Sequence, residues 1–338
     1  MGNMLKGRVA IVTGSGQGVG RGIAIGMARE GAIVITNNRA PKRNETVAVT
    51  ESFKPIGVKR TPEFDAEDIK KILALRGDAE STAQEIRMNG GKATPFYGDV
   101  SDYETAGQLV QTAIEQYGRI DIVVNNAAGL GFGPFVQTKE SDWDYQTVSK
   151  LKGAYNLMSH AVPYMIKQGY GRILNCASDA WTGIANLSAY SAANAGIVGL
   201  TKSTAKELDR FGITVNAYCP QAASPGHVSF GATLKTMMAE NGIKIDPNDK
   251  RVEESEKEHG PAENVAPFLV YLCTEHAQYV NGAVFTVTGG GRVSLYSDPK
   301  IVKEIKKTDE AWSVSELMEQ VPETLLKDYV SIAKDREF

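Results

Sequence analysis

Residues 9–30 read VAIVTGSGQGVGRGIAIGMARE, and the order of parts in that stretch decides the fold. A short β-branched run, Val9–Val12, meets the turn Thr13-Gly14-Ser15-Gly16-Gln17-Gly18-Val19-Gly20, which opens a helical pattern over Arg21–Glu30. Glycine lets the backbone turn sharply and approach a bulky anion, while the first N–H groups and positive dipole end of the helix face it. A glycine pattern alone is weak evidence, because such turns also serve as plain tight turns. Between a strand and a helix, at the start of a βαβ unit, it predicts a seat for the pyrophosphate of a dinucleotide.

The same rhythm continues outward. Strands are predicted at Val9–Val12, Ile33–Thr36, Ala93–Tyr97, Ile120–Asn125, Arg172–Asn175, Thr214–Tyr218 and Ala283–Val287. Runs such as Ile122-Val123-Val124 suit strands buried on both faces. Helical periodicity falls between them, at Asp102–Tyr117, Glu140–Lys167, Ser188–Phe211 and Ala262–Glu275. Alternating elements of this kind predict an α/β fold, a Rossmann-type doubly wound sheet of seven parallel strands in one domain. Two segments break the rhythm. Residues 40–78 form an insertion rich in Lys, Arg, Glu and Pro where a short connection would serve, with a short helix expected at Ala66–Leu75. The dinucleotide-binding domain is expected to span residues 1–290, and residues 291–338 to form a C-terminal extension with helical spacing over Val314–Ala333.

Composition narrows the class. The chain has 338 residues, 42% hydrophobic and 23% charged, with a formal net charge of -3. Nothing in that balance marks a surface for nucleic acid or anionic membrane, and no apolar run reaches the ~18 residues of a membrane span. Cys176, Cys219 and Cys273 are far apart, which suits buried thiols in a reducing compartment better than disulfides. The four histidines lack metal-ligand spacing, so no metal is expected. Without an apolar leader at the N-terminus, a cytoplasmic location is expected.

The spacing of Gly14, Gly18 and Gly20 resembles the TGxxxGxG signature of the short-chain dehydrogenase/reductase family. Further landmarks follow in that family's order: Asp99-Val100, Asn125-Asn126-Ala127-Ala128, Gly171–Asn175, Ser178, Tyr190, Asn216 and Pro220. The resemblance covers roughly residues 7–290, apart from the insertion. It implies an NAD(P)-dependent oxidoreductase that interconverts a secondary alcohol and a ketone. It also implies cofactor contacts at Gly14, Ser15, Gln17, Gly18, Val19 and Gly20 in the turn, then at Asn38, Arg39, Asp99 and Val100. Asn126, Ala127, Ala128, Tyr190, Pro220, Ala222 and Ser224 complete the implied set. Because Asn38 and Arg39 stand where an acidic residue would read a ribose 2′-OH, NADP(H) is favoured, with NAD(H) the alternative.

In the family a tyrosine exchanges a proton with the substrate oxygen, a serine holds that oxygen, and a lysine in YxxxK supplies the cation that a phenol of pKa ~10 needs. Tyr190 and Ser178, twelve residues apart, match the first two roles. The lysine is missing: Tyr190-Ser191-Ala192-Ala193-Asn194 carries an amide in its place. In Lys150-Leu151-Lys152-Gly153, Lys150 stands where the family has an asparagine. An exchange of Lys and Asn between facing helices is expected, Lys150 supplying the cation and Asn194 reaching the ribose. The opposite reading is an exposed Lys150 and a crippled site, which suits a nucleotide-sensing or scaffold protein.

The segment 224–260 is the part that in this family covers the substrate. Phe230, Leu234, Met237 and Met238, with Trp181 and Phe132, are candidates for an apolar wall. A bulky apolar substrate, steroid- or terpenoid-like, is expected, and a 3-hydroxyacyl thioester is the competing class. The family implies a homo-oligomer, tetramer or dimer, assembled through Glu140–Lys167 and Ser188–Phe211.

Overall fold

The computed structural model describes residues 2–41, 53–55, 64–240, 257–308 and 311–334. One eight-stranded sheet organises the chain. Its strands are β1 (Val9–Val12), β2 (Ile33–Asn38), β4 (Lys92–Tyr97), β5 (Ile122–Asn125), β7 (Gly171–Cys176), β8 (Ile213–Gln221), β9 (Val284–Thr288) and β10 (Val293–Leu295). Their order is β10-β9-β8-β7-β5-β1-β2-β4. Seven run parallel, as the sequence predicts. The eighth, β10, turns back antiparallel on β9 with Val293 opposite Val287. Three residues of mixed exposure carry no periodic signal, so this strand is a correction to the seven-stranded expectation.

Both faces of the sheet are covered. Helices α1 (Gly18–Arg29), α3 (Ala79–Met88) and α9 (Ala266–Leu272) supply one apolar layer, in which Ile23, Met27, Ile86 and Leu269 pack on Val12, Val34 and Val124. On the other face α4 (Tyr103–Tyr117), α6 (Gly153–Gln168) and α7 (Ser188–Leu208) set Leu109, Leu157 and Leu208 against Ile11, Val123 and Ile173. β1 has β2 on one side and β5 on the other. The chain therefore winds away in opposite directions from β1, and a crevice opens beyond the C-terminal ends of the strands.

The expected helix over 140–167 is continuous but not regular. It comprises α5 (Glu140–Thr147), one π-helical turn at Val148–Lys152 and then α6. In the insertion, α2 (Ala66–Leu75) forms where periodicity placed it, its first turn capped by the Asp65 carboxylate. The strand β3 (Phe53–Pro55) runs parallel to β6 (Leu130–Phe132). Helix α8 (Pro225–Glu240) begins the segment beyond β8.

Two compact units result, Met1–Tyr296 and Ser297–Phe338. Residues 291–296 thus belong with the first unit, through β10. In the second unit, α10 (Val314–Glu323) carries a capping box between Ser313 and Glu316, and Lys307 pairs with Glu316 at 2.8 Å. It stops well short of the expected Ala333: Pro322, in its last turn, has no N–H to donate back to the Met318 carbonyl, and Thr324 leaves the helical conformation. Among the described residues no helix is long and apolar enough to cross a membrane.

Candidate active site

A cavity of about 950 Å³ lies at the C-terminal ends of the parallel strands. One wall is the glycine turn. Gly14 and Gly18 have φ of +62° and +50°, which side-chain-bearing residues rarely adopt. A Cβ on Gly14 would stand 3.1 Å from the Ala127 backbone, and one on Gly18 would stand 2.9 Å from Ser224 Cβ. Gly20 is packed as closely against Asn126 and the Gly14 carbonyl. The turn, the Asn126–Ala128 loop and the start of α8 therefore meet with no room for side chains, leaving backbone to face the cavity.

Ser15 departs from the expected set. It is fully buried and off the cavity wall. Its hydroxyl accepts from the Asn37 amide at 2.8 Å, its own amide donates to the Asn37 carbonyl at 2.9 Å, and its carbonyl accepts from the Thr82 hydroxyl at 2.9 Å. Ser15 bolts the turn to β2 and α3. Asn126 is on the wall, with its amide spent on support: it donates to the Thr13 carbonyl at 3.1 Å and accepts from the Tyr218 hydroxyl at 3.2 Å.

At the far end of the cavity, Asn38 closes β2 with its side-chain oxygen buried and unpartnered among the described residues. Arg39 and Asp99 also face the cavity but are joined to each other at 2.9 Å. The Asp99 carboxylate further accepts from the Ser101 amide at 2.9 Å. Val100 lies beside them, and Arg76 and Gly77, the end of the insertion, complete that wall. Sequence reasoning missed those last two, although Gly77 before the helix-capping Asp78 was a signal. Pro220, Ala222 and Ser224 also line the cavity.

Tyr190 and Ser178 both face the cavity. Tyr190 is in the first turn of α7, and Ser178 follows β7, its hydroxyl accepting from the Ala180 amide at 3.3 Å. Lys150 does not line the cavity, yet it is far from solvent, at 3% exposure. A π turn holds one residue more than an α turn, which shifts the side chains that follow around the axis; such turns recur at functional sites. The Lys150 ammonium nitrogen lies 5.5 Å from the centre of the Tyr190 ring and has no hydrogen-bond partner among the described residues. Burial works against its charge, and the anionic forms of Cys176, Tyr190 and Cys219 work for it. The net direction is upward from the ordinary lysine value.

Asn194 is fully buried and off the cavity wall. Its amide nitrogen donates to the Tyr190 carbonyl at 2.7 Å, and its oxygen is buried and unpartnered. Lys150 and Asn194 both sit behind Tyr190.

The apolar candidates separate likewise. Leu130, Ile184, Leu187 and Phe230 line the cavity. Phe132 is behind Phe230, ring centres 5.1 Å apart, and Trp181 packs on Tyr296 at 5.2 Å. Leu234 is off the wall, and the side chains of Met237 and Met238 fall outside the described residues. Two unexpected wall residues, His227 and His259, stack with ring centres 3.8 Å apart. Burial, then the neighbouring imidazole, pushes His227 down to about 4. Among the described residues no group of three or more His, Cys, Asp or Glu side chains has metal-binding geometry.

A family model described as short chain dehydrogenase matches residues 45–230. The chain is 30% identical to a 3-oxoacyl-(acyl-carrier-protein) reductase of Thermotoga maritima, over 85% of this chain and 98% of that protein. It is also 30% identical to the hydroxyacyl-CoA dehydrogenase ChsB1 of Mycobacterium tuberculosis, over 96% of this chain and 89% of the relative. The crystal structure of a short chain dehydrogenase from Mycobacterium avium superimposes with a TM-score of 0.72 at 29% identity, covering 97% of this chain and 98% of that one.

Proposed function

Because the chain belongs to the short-chain dehydrogenase/reductase family, NAD(P)-dependent oxidoreductases acting on CH–OH groups, we propose that it interconverts a 3-hydroxyacyl and a 3-oxoacyl thioester. Tyr190 is the proton donor and acceptor in this reading, and Lys150 is the cation that supports it. The observation that carries the chemistry is the buried Lys150 ammonium 5.5 Å from the Tyr190 ring. An exposed lysine would have pointed to a crippled site.

The pocket suits the group it would hold. A side-chain-free glycine cradle at a helix N-terminus, a buried unpartnered Asn38 oxygen and a crevice at the strand ends are what a dinucleotide requires. Gly14, Gln17, Gly18, Val19 and Gly20 would seat its pyrophosphate, Asn38 and Asp99 its adenosine half, and Pro220, Ala222 and Ser224 its nicotinamide half. When bound, the nicotinamide accepts or supplies the hydride. No carboxylate ends β2, so NADP(H) is the favoured form.

The protein's own residues handle the proton. In the reducing direction the Tyr190 hydroxyl gives its proton to the carbonyl oxygen that Ser178 holds by a hydrogen bond. The tyrosine becomes anionic as it does so. The ammonium is 5.5 Å from the ring centre; at an effective dielectric constant of ~20, a unit charge at roughly that distance from the phenolate would stabilise it by about 3 kcal/mol, or some hundredfold in rate. Lys150 is therefore large enough in effect to replace the missing motif lysine. Asn194 ties the first turn of α7 and keeps the phenol in place.

The thioester is preferred to a steroid- or terpenoid-like ketone on the strength of the relatives, whose names specify 3-oxoacyl and hydroxyacyl-CoA substrates. Leu130, Ile184, Leu187 and Phe230 offer apolar contact for an acyl chain. Reduced-nicotinamide absorbance, followed with acetoacetyl-CoA and with bulky cyclic ketones, tests the reading under both NADPH and NADH. Turnover of the thioester with NADPH is expected. Turnover confined to the cyclic ketones would reassign the substrate, and cofactor binding without turnover on either class would favour the sensor.

A further inference from the structure

Gln221, where the family has glycine after Pro220, is one end of a network that the proton chemistry leaves unexplained. The backbone ladder between β7 and β8 ends with the Ala177 amide donating to the Tyr218 carbonyl at 2.7 Å. Ser178, the next residue, has no ladder partner. Asp179 follows, and three donors from separate parts of the chain converge on its carboxylate. Gln221 Nε2, at the end of β8, donates to Oδ2 at 2.6 Å. The Thr286 hydroxyl of β9 and the Tyr296 hydroxyl beyond β10 both donate to Oδ1, each at 2.6 Å. Bonds this short are the charge-assisted kind, roughly twice as strong as neutral ones.

On these contacts we infer that Asp179 is the positioning residue for Ser178, and that Gln221, Thr286 and Tyr296 hold it there, which makes the edge strand part of the active-site support. The inference rests on the proposed role of Ser178 in holding the substrate oxygen. Asp179 lines the cavity, but its oxygens are engaged by the three donors, so it acts through the backbone of its neighbour. Ser178 is thereby fixed between two anchors, the last ladder bond before it and the Asp179 clamp after it. A second contact supports the same joint: Trp181, two residues on, packs edge-on against Tyr296. Burial, then its bond to Asp179, pushes the Tyr296 phenol up to about 12, which keeps its proton available for donation at neutral pH. The Arg292 guanidinium, within 3.4 Å of the Gln221 side-chain oxygen, orients that amide with its nitrogen toward Asp179.

The test is steady-state reduction of acetoacetyl-CoA by the full-length enzyme, with Tyr190→Phe as the reference for lost proton transfer. Asp179→Asn is expected to lower kcat at least thirtyfold with the KM for cofactor within twofold. The double variant Thr286→Val with Tyr296→Phe should lose about tenfold, and returning a hydroxyl as Thr286→Ser should restore most of that loss. Hydrogen exchange of the amides of residues 177–183, measured on the same proteins, should quicken in the double variant. A kcat within threefold of the parent in Asp179→Asn would overturn the inference while leaving the proposed reaction standing. If the parent binds NADPH yet turns over no thioester, the proposed reaction fails instead. Amide exchange then decides the clamp: faster exchange in the double variant sustains it, and unchanged exchange overturns it.

Discussion

Among the described residues two basic side chains are buried, near opposite ends of β7, and they are treated differently. Arg172, at the N-terminal end, is 2% exposed; its Nε has no hydrogen-bond partner among the described residues, but its terminal nitrogens are engaged. Its guanidinium donates to the carbonyls of Gly171 at 2.8 Å and Gly212 at 3.1 Å, lies 4.3 Å from the Tyr170 ring centre and faces Glu275 at 3.6 Å. Lys150 is as deeply buried near the C-terminal end, with an aromatic ring and two thiols around it and no hydrogen bond among the described residues. A charge taken from water without partners is unfavourable for folding. Arg172 therefore holds the fold together, whereas Lys150 is held in place by the fold. Such an arrangement is expected where a charge serves chemistry.

Substitutions that probe this contrast should separate activity from stability. The largest effect is expected from Tyr190→Phe, which removes the proton that Lys150 is placed to support: kcat should fall about 10³-fold, within the usual range for a general acid, with cofactor affinity retained. Lys150→Met should lower kcat about 100-fold, while its urea midpoint holds or rises because an apolar isostere relieves an unpartnered charge. Arg172→Met should do the reverse. It should lose about 2–3 kcal/mol of stability in urea unfolding and keep kcat of the folded enzyme within twofold, since it loses two hydrogen bonds and a pairing with exposed Glu275.

The smallest effect concerns a charge that the same cavity resists. His227 titrates at about 4 in the folded chain against an ordinary 6.5. Between those values the unfolded chain binds the extra proton, so stability falls as pH is lowered and is restored as pH rises. The loss at pH 5.5 is about 1.4 kcal/mol relative to neutrality. Unfolding of His227→Gln at pH 7.5 and pH 5.5 should show that much less pH dependence than the parent.

Much of the fold was legible because the parallel strands are buried on both faces and read as apolar runs. The glycine turn was legible because its backbone conformations exclude most other residues. β10 was not, since three residues of alternating exposure leave no run to detect. The cavity wall was largely readable from ordered landmarks, but the place of Ser15 was not, because a serine that bonds back to β2 and one that faces a cavity look the same in a sequence. The inward Lys150 was expected from its exchange with Asn194, but the π turn that carries it was not, because a 3.6-residue period cannot foresee one. Asp179 escaped notice because Gln221, Thr286 and Tyr296 are brought to it only by the sheet.

If the cation beside Tyr190 has moved from α7 to the facing helix, exchanging the two residues back should recover what a single exchange loses. Turnover would be measured in Lys150→Asn alone and in the double variant Lys150→Asn with Asn194→Lys. A hundredfold loss in the single variant, recovered to within tenfold of the parent in the double, is predicted. A single variant as active as the parent, or a double variant no better than a crippled single one, would contradict it.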